Sequence, residues 1–298
     1  MTATRFAPSP TGPLHLGHAW AAMVASDHGA MRLRIEDIDR GRSKPEWEAA
    51  IHADLDWLGL PPVGEVVRQS DRRAAYEAAL DALWARDLLY PCSCTRRDVA
   101  AALSAPQEGD PPMGPMGPDG LVYPGTCRGR GSIPRSLTER PRDAHLRLDM
   151  SAAAAALAHR AAVGWGLPFL EIGRVAADGD VWTGREDYLA RIGDVVLYRR
   201  DFGTSYHLSV VVDDAGQGID LVTRGADLFE ATPIHVLLQR LLGLPTPRYL
   251  HHDLVRDAEG KRLAKRDDAR SLAGYRAAGW TAADLKARLR ESRVAPAA

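Results

Sequence analysis

The sequence contains no long apolar run, few cysteines and no excess of basic charge. No stretch approaches the roughly 20 consecutive apolar residues that a membrane-spanning helix requires, and the first six residues lack the apolar core of a signal peptide. These absences predict a cytoplasmic protein without a membrane partner. The 38 Lys and Arg residues are offset by 39 Asp and Glu residues, so any contact with nucleic acid must come from a local patch.

Only three cysteines occur in the 298 residues, and all of them fall within one segment: Cys92, Cys94 and Cys127. A small, odd number argues against a disulfide framework. Thiolates are good ligands of Zn²⁺, but structural zinc sites take four ligands, so a different residue type would have to supply the fourth. The spacing alone leaves open that these are buried free thiols.

The first part of the chain reads as a parallel α/β unit. Residues 4–7 are predicted as a strand, a turn rich in proline follows, a helical pattern begins near His15, and residues 31–35 are a second strand. Strand, helix, strand is the order of a parallel sheet, whose ligands bind beyond the carboxyl ends of its strands. With 45% hydrophobic and 26% charged residues, the composition is that of a soluble globular protein.

Further along the chain the patterns are shorter. Residues 209–214, Ser-Val-Val-Val-Asp-Asp, are predicted as a buried strand that ends in two carboxylates, and residues 219–223 as another strand. The alanine run at 152–156 is predicted as an exposed helix, and residues 104–120, where Pro alternates with Gly and Met, as an irregular surface loop. Residues 233–242 read as a helix that ends at a glycine, and residues 271–293 as a helical tail.

A phosphate site is predicted at the start of the first helix. His15 and His18 lie on one face of its first turn, and Gly17 between them allows a close approach of a base or a backbone. Free N–H groups and the positive end of the helix dipole suit a polyphosphate there. The alternative is a polar helix start with two solvated histidines.

The family resemblance described below implies an amino-acid pocket, and several of its residues follow predicted strands. They are Arg5, Ser9, Glu36, Tyr206 and Arg224. Arginine binds a carboxylate in bidentate fashion and offers only donors, so this set favours glutamate over glutamine. For any single one of them, a surface salt bridge is the commoner explanation.

A charged segment near the carboxyl terminus contains Arg262, Ala264 and Lys265. The family resemblance described below implies that Lys265 neutralises a departing pyrophosphate. Taken by itself the segment is also what a solvated surface run would look like.

Together these residues resemble a known family. The run from Arg5 to Gly12 followed by His15-Leu16-Gly17-His18 resembles the opening of glutamyl-tRNA synthetases, the second half being their HIGH-type ATP signature. Residues 262–265 resemble the KMSKS-type loop, with Lys265 at its final lysine. Tyr-Pro-Cys-Ser-Cys-Thr, followed later by Tyr-Pro-Gly-Thr-Cys-Arg, resembles the glutamyl-Q tRNA(Asp) synthetase branch, in which a tyrosine oxygen completes a zinc site.

The resemblance implies roles for individual residues. Arg5 and Arg224 would bind the carboxylates of glutamate, Glu36 its ammonium group, and Ser9 and Tyr206 would orient it. The residues implied to contact ATP are His15, Gly17, His18, Arg262 and Lys265, of which His15, His18 and Lys265 would be catalytic. The implied zinc ligands are Cys92, Cys94, Tyr123 and Cys127, and ATP would carry Mg²⁺.

The resemblance also implies an organisation and a reaction. We expect an α/β fold, a Rossmann-like class I synthetase catalytic domain split between residues 1–91 and 181–250, with a zinc-bearing, acceptor-binding insertion at 92–180. Residues 251–298 would hold the lysine loop and a short helical segment, too little for an anticodon-binding domain. Such enzymes activate glutamate without tRNA and transfer it to queuosine in the anticodon loop of tRNA(Asp). We expect a monomer.

Three alternatives remain open from the sequence. The chain could charge the 3′ end of tRNA(Glu), it could be an ATP-binding paralogue without transfer activity, which Ala264 would favour, or it could be a nucleotidyltransferase with the same His-x-Gly-His fold. A basic stretch formed by Arg128, Arg130, Arg135, Arg140 and Arg142 is either a phosphate-contacting surface or a solvated loop.

Overall fold

The computed structural model describes residues 1–103, 115–129, 135–158, 165–173, 179–255 and 270–291. Its helices are α1 (Leu16–Asp27), α2 (Pro45–Leu58), α3 (Arg73–Trp84), α4 (Arg96–Leu103), α5 (Met150–Ala158), α6 (Tyr206–Gly216), α7 (Thr232–Leu242), α8 (Leu272–Ala277) and α9 (Ala282–Glu291). Its strands are β1 (Ala3–Phe6), β2 (Ala30–Ile35), β3 (Val67–Arg68), β4 (Leu89–Cys92), β5 (Met116–Gly117), β6 (Gly120–Leu121), β7 (His145–Leu148), β8 (Gly166–Glu171), β9 (Gly179–Gly184), β10 (Val196–Tyr198), β11 (Leu221–Gly225) and β12 (Arg248–His252). Within these ranges no helix has both the length and the apolar character needed to cross a membrane.

The amino-terminal part of the main sheet is the predicted βαβ unit. β1 pairs with β2 in parallel, with Ala3 opposite Ala30, and β3 adds to the other edge of β2. α1 connects β1 to β2, and its small buried residues, such as Ala19 and Ala22, let the helix lie close against the strands. This arrangement brings the carboxyl ends of β1 and β2 to the same edge.

The second part of the sheet comes from the later half of the chain. β11 and β12 pair in parallel, β12 also pairs in parallel with β8, and β9 closes this edge antiparallel to β8. The Asp220 N–H donates to the Ala3 carbonyl at 3.0 Å, where β11 begins beside β1. The carboxyl ends of β1, β2 and β11 therefore face one side of the molecule.

The strand predicted for residues 209–214 is wrong, because these residues belong to α6. The Ser205 hydroxyl caps this helix by accepting from the Leu208 N–H at 3.4 Å. Val210, Val211 and both aspartates that follow are buried, so the helix is packed on most of its surface and shows no clear apolar stripe. A short apolar run of this kind cannot be distinguished from a buried strand by its periodicity.

Two smaller expectations also need correction. The alanine helix forms as α5, but Ala153 and Ala154 are fully buried rather than exposed. Part of the segment predicted as irregular is a hairpin, since β5 pairs antiparallel with β6, while residues 104–114 lie outside the described residues. The helix α7 ends as predicted, with Gly243 in the left-handed region at φ 67°.

Candidate active site

A cavity of about 500 Å³ opens at the carboxyl ends of β1, β2 and β11. Its lining includes every described residue that the sequence suggested for glutamate or ATP: Arg5, Ser9, His15, Gly17, His18, Glu36, Tyr206 and Arg224. Arg262 and Lys265 lie outside the described residues. The structure thus brings the two predicted half-sites into one cavity, and the role of each side chain stays a prediction.

The two histidines cap the helix that begins at Leu16. The Nδ1 atom of His15 accepts from the Gly17 N–H at 3.1 Å, and Nδ1 of His18 accepts from the His15 N–H at 3.2 Å. Because Nδ1 is the acceptor in both rings, each neutral ring carries its proton on Nε2. The ring centroids lie 3.9 Å apart, so backbone contacts fix both imidazoles at the helix end.

A buried carboxylate, Asp214, joins two arginines behind the cavity. Its Oδ1 atom accepts from Arg34 Nη1 at 2.6 Å and from Arg5 Nε at 3.2 Å. Arg5 Nη1 also donates to the Thr223 carbonyl at 2.6 Å. Burial raises the pKa of Asp214, but the two guanidinium groups lower it further, so the net pKa lies below the usual range. These hydrogen bonds fix the orientation of the Arg5 side chain, which belongs to β1.

Glu36 is held in place from two sides. Its backbone N–H donates to the Pro8 carbonyl at 3.0 Å, and its Oε1 atom accepts from Arg34 Nη2 at 3.2 Å. Burial raises the pKa of Glu36, which outweighs the lowering by Arg34 and Arg5. Among the described residues no protein donor is bound to its second oxygen, Oε2. That oxygen is placed to accept from a ligand.

Arg224 is buried at the end of β11 and is held by neutral acceptors. Its Nε donates to His251 Nε2 at 3.1 Å, Nη1 to His235 Nδ1 at 2.9 Å, and Nη2 to Thr232 Oγ1 at 2.6 Å. A guanidinium has five N–H donors, so two have no partner among the described residues.

The sequence analysis missed four residues that position the cavity side chains: Arg34, Asp214, His235 and His251. One signal was available for Arg34, because an arginine inside a largely apolar strand, two residues before Glu36, is a candidate for a buried ion pair. The histidines gave no such signal, because a single sequence does not indicate which histidines contact Arg224.

The residues that flank the predicted lysine loop lie beside the cavity. Val255 lines the cavity, residues 256–269 lie outside the described part of the chain, and the chain returns at α8. There the Leu272 N–H donates to the Leu14 carbonyl at 2.9 Å, next to the capped start of α1. Both ends of the segment are therefore fixed near the two histidines.

The three cysteines converge with a tyrosine at the end of β4. The thiol sulfurs of Cys92 and Cys94 lie 3.4 and 3.3 Å from the Tyr123 Oη atom, and Cys94 Sγ lies 3.5 Å from Cys127 Sγ. All three sulfurs are within 4.8 Å of one another. In tetrahedral zinc sites the Zn–S bond of about 2.3 Å implies S···S separations near 3.8 Å, so the spacing fits such an ion.

The surroundings of the cluster favour an anion at Cys127, whereas burial raises the pKa of Cys94 and of Tyr123. The Cys127 N–H donates to Tyr123 Oη at 2.9 Å, and Arg147 donates from Nε to Cys92 Sγ at 3.4 Å with its guanidinium 3.9 Å above the Tyr123 ring. Burial raises the pKa of Cys127, but hydrogen bonds from Tyr123, the Ser93 backbone and the neighbouring thiols lower it to about 7. The four residues fit a structural metal site, in which a bound ion would tie β4 to the segment around Cys127.

We expect freshly purified, unchelated protein to contain one zinc ion per chain. Replacing Cys127 with serine should abolish stoichiometric zinc and lower the melting temperature, because metal binding energy becomes folding energy in such sites. Metal analysis and thermal unfolding test this, with Thr126→Ala, an exposed neighbour, as the matched control. Wild-type protein that is free of zinc as purified would contradict the assignment.

Part of the basic stretch forms ion pairs within the protein. Arg140 is buried and its Nε lies 2.6 Å from Asp81 Oδ1 on α3, while Arg128 pairs at 2.7 Å with a buried aspartate. Arg130 and the Arg135 side chain lie outside the described residues. These ion pairs stabilise the packing of this segment on its neighbours, and the exposed Arg142 adds another, with its Nη2 atom 3.6 Å from Glu77 Oε2.

Comparison with known proteins now places the chain. The family model described as "tRNA synthetases class I (E and Q), catalytic domain" matches residues 1–108 and 178–290. A Rhodobacter capsulatus protein named glutamyl-Q tRNA(Asp) synthetase is 55% identical over 294 residues, covering 95% of this chain and 98% of the relative. A Nocardia farcinica protein of the same name is 40% identical and covers 97% of this chain and 84% of the relative. The chain belongs to the glutamyl-Q tRNA(Asp) synthetase family of class I synthetases.

Solved structures agree with this family. A glutamate-tRNA synthetase from Elizabethkingia anophelis superposes with a TM-score of 0.69 at 27% identity, covering 94% of this chain and 59% of that synthetase. The chain therefore spans less than two thirds of that longer enzyme. Methionyl-tRNA synthetase from Mycobacterium tuberculosis, at 13% identity and a TM-score of 0.56, shares the fold alone.

Family membership confirms the resemblance drawn from the opening motif and the Rossmann-like α/β fold expected from it. It also makes the chain a ligase of the class I aminoacyl-tRNA-synthetase kind. The nucleotidyltransferase alternative is thereby set aside.

Proposed function

We propose that this enzyme uses ATP to activate glutamate without tRNA and then transfers the glutamyl group to queuosine in the anticodon loop of tRNA(Asp). The main support for the proposal is that the capped start of α1 and the buried Arg224 line the same cavity. The relatives named for glutamyl-Q tRNA(Asp) support the acceptor. We propose a monomer in the cytoplasm.

Glutamate fits the cavity by charge. Arg224 and Arg5 are proposed to bind its carboxylates through their remaining N–H donors, and Glu36 Oε2 to accept from its ammonium group. Ser9 and Tyr206 line the same cavity and would orient the substrate. Charge-assisted bonds of this type are roughly twice as strong as neutral ones, which favours glutamate over its amide.

In the activation step an α-carboxylate oxygen of glutamate attacks the α-phosphorus of ATP. The bond from that phosphorus to the bridging oxygen breaks, and pyrophosphate leaves. His15 and His18, held at the helix start, would donate from Nε2 to phosphate oxygens whose charge grows in the transition state. Mg²⁺, when bound to the phosphates, neutralises further charge, and Lys265 is proposed to act on the pyrophosphate side.

In the transfer step a hydroxyl of the queuosine ring attacks the carbonyl carbon of the mixed anhydride. The ester bond forms, AMP leaves, and the hydroxyl proton passes to the departing phosphate or to solvent. Unstacked bases of single-stranded loops can be splayed into a protein cleft, so an anticodon base can reach the cavity. We propose that the insertion at 92–180 contacts this RNA.

The acceptor can be tested with an RNA that has no 3′ acceptor end. We expect radiolabelled glutamate to be incorporated into a tRNA(Asp) anticodon stem-loop that carries queuosine, because the proposed acceptor hydroxyl lies in the loop. The same stem-loop with guanosine at that position is the matched control and should remain unlabelled. Glutamate-dependent ATP–pyrophosphate exchange without RNA establishes that the protein is active.

The rival activity would give the opposite pattern. An enzyme that charges the 3′ end would label intact tRNA(Glu) and would leave the stem-loop unlabelled. Exchange that appears only when tRNA is added would also favour that rival. An ATP-binding paralogue without transfer activity would label neither RNA.

A further inference from the structure

Arg224 is the buried arginine of the cavity that lacks a protein carboxylate. Arg5 and Arg34 both pair with Asp214, whereas no carboxylate oxygen of the described residues lies within 4 Å of the Arg224 guanidinium nitrogens. Arg224 is only 5% exposed. A buried charge without a counter-charge is strongly unfavourable, so the surroundings of Arg224 require an explanation.

The partners of Arg224 are neutral for a geometric reason. A guanidinium can only donate, so His251 Nε2 and His235 Nδ1 must both be acceptors, and neither ring can be an imidazolium. Burial and the charge of Arg224 lower the pKa of His235 well below its usual value. Thr232 supplies a hydroxyl oxygen as the third acceptor.

On one side an imidazole separates Arg224 from the nearest carboxylate in the network. His251 donates from Nδ1 to Glu171 Oε2 at 2.6 Å, and its backbone N–H donates to Glu171 Oε1 at 2.9 Å. Both side chains are fully buried. Glu171 thus fixes the tautomer of His251 and stays one ring away from the guanidinium.

On the other side two imidazoles, those of His235 and His207, separate Arg224 from a carboxylate. His235 Nε2 lies 3.0 Å from His207 Nδ1, and His207 Nε2 lies 2.8 Å from Asp119 Oδ1 in the β5–β6 hairpin. With Asp119 accepting at one end and Arg224 donating at the other, every bond points the same way. His235 must then donate from Nε2, which leaves its Nδ1 lone pair for Arg224.

We propose that His235 and His251 are specificity-determining positioning residues: they orient Arg224 while keeping protein carboxylates away from it, so that its charge is satisfied by a carboxylate of the substrate. The proposal rests on glutamate being the amino acid that binds in this cavity. A substrate carboxylate neutralises the buried cation, whereas the amide of glutamine leaves it without a counter-charge. The selectivity for glutamate therefore depends on the neutrality of the residues behind Arg224.

A matched pair of variants separates orientation from charge. In both His235→Asn and His235→Asp a short side chain presents an oxygen near the original Nδ1 position, and both lose the bond to His207. The two variants have nearly the same shape and differ in that only the aspartate gives Arg224 a counter-charge.

We expect the aspartate variant to fold at least as stably as the asparagine variant and to bind glutamate much less well. In glutamate-dependent ATP–pyrophosphate exchange, KM for glutamate should be roughly tenfold to a hundredfold higher for His235→Asp than for His235→Asn, with the change in KM and little difference in kcat. The ratio of kcat/KM for glutamate over glutamine should fall in the aspartate variant. Thermal unfolding of both proteins is recorded alongside.

A purely structural role gives the reverse order. If His235 only held Arg224 in place, the stronger acceptor would hold it better, and the aspartate variant would have the same or a lower KM. That result, in an active wild type, overturns the inference and leaves the proposed function intact. A wild type without glutamate-dependent exchange overturns the proposed function itself.

A second pair of variants tests the proposal in case the His235 variants do not fold. Thr232→Asn and Thr232→Asp make the same comparison from the Nη2 side of Arg224. The aspartate member should again have the higher KM for glutamate and the smaller preference over glutamine. Equal values for the two Thr232 variants would count against the proposal.

Discussion

Replacing Arg224 with alanine is expected to remove most glutamate activation while ATP still binds. A substrate carboxylate left unpaired in a buried pocket costs about 3–5 kcal/mol, which corresponds to roughly two to four decades in kcat/KM for glutamate. The loss should be large because no carboxylate of the described residues pairs with Arg224, so a substrate carboxylate does not replace an existing ion pair. Exchange assays at varied glutamate concentration measure it.

Arg191→Ala is the matched control, since its side chain is 68% exposed and pairs with surface carboxylates. Its kcat/KM for glutamate should stay close to that of the wild type. Binding of ATP to Arg224→Ala, followed directly, shows that the cavity is folded. A loss below tenfold would mean that Arg224 does not bind the substrate.

The second large effect concerns stability. Asp214→Asn should lower the free energy of unfolding by about 3–5 kcal/mol, because it removes the charge that Arg34 and Arg5 share in a buried position. For a chain of this size that corresponds to a fall in melting temperature of roughly 5–8 °C. Asp201→Asn makes the same chemical change in an exposed pair with Arg199, and it should cost little.

The pH dependence of this difference has a definite sign. The pKa of Asp214 is lower in the folded state than the value of about 3.9 for an unfolded chain, so the unfolded state binds the proton more tightly. The stability from Asp214 is therefore present above about pH 4, and it is lost as the pH falls through the lower, folded pKa. The stability gap between wild type and Asp214→Asn should narrow on acidification, and a constant gap would contradict the ion-pair account.

How far the sequence alone leads depends on how local each signal is. The sequence could predict that Arg5, Ser9, His15 and His18 lie close together. They belong to one short run of the chain, which forms a strand, a turn and the start of a helix. The position of Arg224 followed from its place at a strand end. These are near neighbours in the chain or follow from a general rule for parallel sheets.

The remainder of the site depends on contacts between distant residues. The pairing of Arg34 with Asp214 spans 180 residues, and the pairing of His251 with Glu171 spans 80. No pattern within a single sequence encodes such pairs. The error at residues 209–214 has the same origin, because burial around the whole of α6 removed the periodicity that identifies a helix.

The ion pairs of Asp214 can form only late in the synthesis of the chain. Arg5 and Arg34 leave the ribosome long before the residue that neutralises them, with 180 residues between Arg34 and Asp214. At translation rates of 5–20 residues per second, that interval lasts roughly 10–40 s. During this time Arg5 and Arg34 lack the carboxylate that they share in the folded protein. The network that fixes the Arg5 side chain can therefore form only after α6 has been made.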